Sequence, residues 1–74
     1  MRPLEIFKYD ESRAVFYRCY FLGRDGGIVD RLDFHADDDA SAVSHSRAKY
    51  AETPEAEHGF ELWEASRQVH KDQP

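Results

Sequence analysis

With Cys19 as its only cysteine the chain has no internal disulfide, and without a CxxC pair or Cys/His array it shows no structural zinc motif. No apolar run approaches the length of a membrane span, and the opening Met1-Arg2-Pro3-Leu4-Glu5 lacks the apolar core of a secretory signal. A soluble cytoplasmic protein, with no membrane partner, is therefore expected. Basic residues are in the minority: ten Lys and Arg against fifteen Asp and Glu give a formal charge of −5. Because the ten are scattered, and binding a phosphate backbone draws on clustered cations, no nucleic-acid partner is expected. Internal repeats are missing, and the only low-complexity tract is Asp37-Asp38-Asp39. A chain of 74 residues forms one domain, and a core of that size supplies only about 3–5 kcal/mol. Tight packing or self-association is expected to supplement it.

The strongest local pattern is a hairpin: two alternating runs rich in Val, Ile, Tyr, Phe and Leu, from Val15 to Phe34, broken only by Gly23-Arg24-Asp25-Gly26-Gly27. A two-residue type I′ turn at Asp25-Gly26 sets Gly23 opposite Ile28, Phe21 opposite Asp30, Cys19 opposite Leu32 and Tyr17 opposite Phe34. One face then carries Val15, Tyr17, Cys19, Phe21, Ile28, Leu32 and Phe34, with Asp30 the only charge among them. On the other face Arg18 meets Asp33, Tyr20 meets Arg31 in a cation–π contact, Leu22 meets Val29 and Phe16 meets His35. Each such pair contributes up to about 1 kcal/mol. A three-residue loop over Arg24, Asp25 and Gly26 is the competing reading. It sets Tyr20 against Asp30 and Arg18 against Leu32, burying Arg31 and Asp33 among aromatics. The two-residue turn is preferred because it keeps those charges outside.

Residues 1–13 alternate poorly, with Pro3 and Asp10-Glu11-Ser12-Arg13 breaking any period, and read as an N-terminal arm that either docks on a partner or frays. The single domain follows over residues 14–74. Aspartates at a helix start accept free N–H groups and favour the positive end of the dipole, so a helix begins near Asp38 and runs toward Thr53-Pro54. Ala36, Ala40, Val43, Ser46, Arg47 and Tyr50 fall on its inward stripe, which is thin enough to require close approach to the sheet. An acidic linker from Glu52 to Gly59 leads to Phe60-Glu61-Leu62-Trp63. The strand returns through a turn at Ala65-Ser66, pairing Glu64 with Arg67, Leu62 with Val69 and Glu61 with His70. Neither turn residue favours positive φ. The β-β-α-β-β order predicts an α+β, two-layer fold with an antiparallel sheet of order 2-1-3-4 and one helix on one face.

Three stretches, YFLGRDGGIV at 20–29, DFHADDDA at 33–40 and GFELW at 59–63, resemble small uncharacterised α-proteobacterial ββαββ proteins over about residues 17–71. That resemblance implies a bacterial cytoplasmic origin and no catalytic role. Such sequences tend to carry a glycine turn where this chain has Ala65-Ser66.

A sheet with one helix leaves a face open. If the helix covers Tyr17, Cys19, Phe21, Ile28, Leu32, Phe34, Phe60 and Leu62, then Phe16, Arg18, Tyr20, Leu22, Val29, Arg31 and Trp63 form an exposed aromatic and arginine-bearing surface, the composition of an interface. The expected function is a non-catalytic protein-interaction or regulatory module, self-associating as a homodimer through this face or an edge strand; because Asp30, Arg31 and Asp33 guard strand two, the open face or strand four is the expected contact. The alternative is a small-ligand or metal-binding regulator using His35 and Asp37, Asp38 and Asp39, joined by His45 or His58. Three adjacent aspartates point in different directions, and capping explains them without a metal, so no cofactor is expected. Cys19 lies inside the sheet, away from nucleophilic chemistry, and no phosphate-cradling loop is present. Asp30 either lies in water beyond the helix edge or is buried against Arg47.

Overall fold

The structure, a computed structural model, describes residues 14–72. The expected arm over residues 1–13, and any docking by it, lies outside the described residues. Strands β1 (Val15–Leu22) and β2 (Ile28–Ala36) are followed by helix α1 (Asp39–Ala51), then β3 (Phe60–Glu64) and β4 (Arg67–Asp72). All neighbouring strands are antiparallel in the order β2-β1-β3-β4, and α1 packs on one face. The fold is the expected α+β arrangement. No helix among the described residues is long and apolar enough to cross a membrane.

The first hairpin joins the expected register to the competing loop. From Tyr17–Phe34 through Phe21–Asp30 the pairs fall as the alternation predicts. The loop, however, is the three-residue one: Gly26 N–H donates to Gly23 O at 2.8 Å, Gly23 N–H donates to Gly27 O at 2.7 Å, and Gly26 has φ +85°. That is a type I turn closed by a glycine bulge, with Asp25 Oδ1 accepting Gly27 N–H at 2.9 Å. Leu22 therefore meets Ile28, and Gly23 no longer does. A β-bulge then absorbs Val29, so that Asp30 meets Phe21 and every later pair returns to register. Loop and register are compatible because the bulge removes the one-residue slip.

Two placements differ from expectation, one through the bulge and one through the linker. Ile28, expected inside, shares a side with Leu22 rather than Phe21 and is 61% exposed. Leu22, expected on the open face, is buried, with its N–H donating to Gly59 O and its C=O accepting His58 N–H, both at 2.9 Å. The linker from Glu52 to Gly59 thus does more than connect: Thr53, Ala56 and Gly59 are all buried.

Helix α1 starts where the aspartates predict. Asp38 is the N-cap and its Oδ1 accepts Ser41 N–H at 2.8 Å. At the other end Thr53 Oγ1 donates to Lys49 O at 2.8 Å. Its buried residues are Ala42 and Ser46, with Val43 and Tyr50 packed beside them. Ala40 and Arg47, expected on the inward stripe, are exposed. The helix is rolled so that two small side chains one turn apart touch the sheet, which is the close approach a thin stripe demands.

Tyr17, Cys19, Phe21, Ala42, Ala56, Phe60 and Leu62 make the core. Phe60 is its hub, with ring centroids 6.1 Å from Phe21, 5.6 Å from Tyr50 and 5.7 Å from His70. Asp30 is exposed, and Arg47 turns away from it to Asp72 at 3.8 Å. In the last hairpin Glu64 meets Arg67 as expected, but Val69 is bulged, so Leu62 meets His70 and Glu61 meets Lys71. Ala65 takes φ +54°, the conformation its side chain disfavours.

Candidate interaction surface

The face of the sheet away from α1 is built by alternation. Phe16, Arg18 and Tyr20 project from β1 beside His35, Asp33 and Arg31 of β2. On the other flank Arg18 pairs with Trp63 and Tyr20 with Glu61 of β3. Arg18 is held by two hydrogen bonds to Asp33, Nε to Oδ1 at 2.9 Å and Nη2 to Oδ2 at 3.2 Å. Its guanidinium carbon lies 5.7 Å from the centre of the Phe16 ring, and that ring meets His35 edge-on at 5.4 Å. The cation–π partner is thus Arg18 on Phe16 rather than Arg31 on Tyr20. Arg31 reaches along its own strand to Asp33 at 3.5 Å. The Arg18 hydrogen bonds hold the Asp33 carboxyl below the usual range, and Asp33 in turn raises Arg18.

Phe16, Arg18, Tyr20 and Trp63, joined by Ala65 and Ser66, line a groove of about 360 Å³. Four of the seven expected surface residues are gathered there. Val29, 47% exposed, lies at the hairpin end, Arg31 lies on the edge strand, and Leu22 is withdrawn from the surface. Ala65 and Ser66 were not foreseen as lining residues. Their signal is adjacency, since a two-residue turn directly after Trp63 and Glu64 must stand beside the indole.

A second cleft, of about 540 Å³, opens at the start of α1 among Val15, Tyr17, Asp38, Asp39, Ala40, Glu64 and Arg67. Arg67 straddles Asp39 with Nη1 to Oδ2 and Nη2 to Oδ1, both 3.1 Å, and bonds Glu64 Oε1 through Nε at 3.0 Å. The Tyr17 hydroxyl donates to Asp39 Oδ1 at 2.7 Å. Burial first, then this carboxylate, pushes the Tyr17 phenol up to about 12. Arg67 and Tyr17 together lower Asp39. A phenol that weakly acidic and a carboxylate so fully paired lock the helix start to the β3–β4 hairpin. The Glu64–Arg67 pair follows from the turn between them, but no local pattern joins it to Tyr17 and Asp39, which come from two other parts of the chain.

The metal alternative finds its residues dispersed. Asp38 caps the helix, Asp39 is held by Arg67, and His35 stands on the open face. His45 packs on Phe34 with ring centroids 4.6 Å apart. Among the described residues no three His, Cys, Asp or Glu side chains are gathered to hold an ion. Cys19 is fully buried, and burial pushes its thiol up to about 11, with Ser46 acting weakly in the other direction. At neutral pH it is a protonated thiol inside a packed sheet. No family model, no curated protein and no solved structure matches this chain.

Proposed function

We propose that this chain is a non-catalytic protein-interaction module and that its contact surface is the open face of the sheet. The observation that carries the reading is the groove lined by Phe16, Arg18, Tyr20 and Trp63. Aromatic side chains and arginine are the residue types that concentrate binding energy at protein interfaces, and a rigid sheet presents them with little entropy left to lose. The bidentate Arg18–Asp33 pair fixes the guanidinium over Phe16, so a partner meets a preformed surface. Its chemistry suits an apolar segment of another protein laid across the aromatic walls.

The test is differential affinity capture with three baits. Proteins held by the wild type and released by Tyr20→Glu and Trp63→Ala support the face as the contact. Identical retention by all three baits, with each folded by circular dichroism, rejects it.

A further inference from the structure

We propose that two copies of this chain associate through the free edge of β2, paired antiparallel about Leu32, to give one continuous eight-stranded sheet. The argument begins with the backbone. Leu22 spends its N–H and C=O on Gly59 and His58, the β3 side of β1. By alternation Tyr20 and Arg18 also face β3, while Phe21, Cys19 and Tyr17 face β2. Their β2 partners Asp30, Leu32 and Phe34 therefore turn inward, and Arg31, Asp33 and His35 present their N–H and C=O groups to the free edge. The Arg31 N–H agrees with this direction, since it is capped only by the Asp30 carboxylate at 2.8 Å, an exposed bond that exchanges for a ladder bond on pairing.

Charged side chains on an edge strand ordinarily guard it. Here their order selects a partner instead. A two-fold axis through Leu32 sets Arg31 of each copy opposite Asp33 of the other, two cross-strand ion pairs. An axis through Arg31 or Asp33 sets like charges together. The same pairing brings Leu32 beside Leu32 on the helix side, where Leu32 and Phe34 are only partly buried and the core is unfinished. The Val29 bulge ends the flat stretch, so the contact runs from Asp30 to Phe34 and stops. The other edge, β4, is six residues long and bulged at Val69, in the middle of its length.

This association leaves both open faces exposed side by side, so it does not depend on the function proposed above. Sedimentation equilibrium on wild type, Arg31→Glu, Asp33→Arg and an equimolar mixture of the two variants tests it. The wild type is expected to be a dimer. Each variant alone sets like charges opposite one another twice and is expected to dimerise roughly tenfold more weakly or worse. The mixture restores both ion pairs, because the introduced glutamate of one variant faces the introduced arginine of the other and the native Asp33 faces the native Arg31. It is expected to return to a dimer. Tyr20→Glu is expected to remain a dimer. A monomeric wild type, variants that dimerise unchanged, or a mixture of folded variants that stays monomeric overturns the proposal. So does a dimer lost in Tyr20→Glu and kept in Arg31→Glu, which places self-contact on the open face.

Discussion

At the scale of single residues, two turns carry opposite solutions to one steric problem. Gly26, at φ +85°, takes the left-handed conformation at no cost from a side chain, and nothing lies within 4 Å of where its Cβ would stand. Ala65, at φ +54°, takes it with one. Gly26→Ala is therefore expected to destabilise the fold by about 1 kcal/mol, and Ala65→Gly to stabilise it by about 0.5–1 kcal/mol. Urea titration of both variants checks the pair, and equal signs would contradict it. Ser46 presents a different imbalance. Its hydroxyl is fully buried and, apart from the neighbouring Cys19 thiol, a weak partner, it meets no hydrogen-bonding group among the described residues. Ser46→Ala removes a poorly satisfied polar group while leaving the packed helix face intact, so its urea midpoint is expected to rise by an amount equivalent to at most about 1 kcal/mol. A fall in midpoint would mean that the hydroxyl contributes more to packing than its missing bond costs.

At the scale of elements, the cluster at the start of α1 links stability to pH at both ends. The Tyr17 phenol is raised to about 12, so its contribution is complete below the ordinary tyrosine range near 10 and is lost as pH climbs from there. Asp39 is lowered, so its contribution is present above the ordinary carboxylate range and is lost as pH falls through and below it. Asp39→Asn is expected to flatten the acid limb of a stability–pH curve and to bring the late phenolate absorbance step part of the way back. It returns only in part because burial is the first cause of the Tyr17 shift. A step unmoved in Asp39→Asn would show that the carboxylate does not reach the phenol in solution. Of this cluster the sequence showed only the Glu64–Arg67 pair, because Tyr17 and Asp39 share no local period with it. What was legible were the local rules: alternation set six pairs of the first hairpin, the aspartates set the helix cap, and the element order set the sheet. Bulges were not, since Val29 and Val69 have the same β propensity in a ladder as out of one. The helix face was misread for a related reason: a sequence with almost no amphipathic signal leaves the roll to be decided by whichever small residues fit the sheet, here Ala42 and Ser46.

At the scale of the molecule, the core is small enough to depend on single side chains. Phe60 has no exposed surface and touches rings from β1, α1 and β4. Truncation of a buried phenylalanine costs about 3–5 kcal/mol, close to all that a domain this size holds. Phe60→Ala is expected to be largely unfolded at room temperature by near-ultraviolet circular dichroism, and a cooperative, native-like spectrum would refute that. The central position of β1 has a further consequence, in time rather than in energy. One neighbour of β1 follows after a short loop, whereas the other, β3, waits for the whole helix and linker to intervene. Closing that long loop is expected to be the slow event, with the first hairpin already in place when it happens. Gly26→Ala should therefore slow folding and leave unfolding nearly unchanged, while Ala65→Gly, in the hairpin that docks last, should act by slowing unfolding.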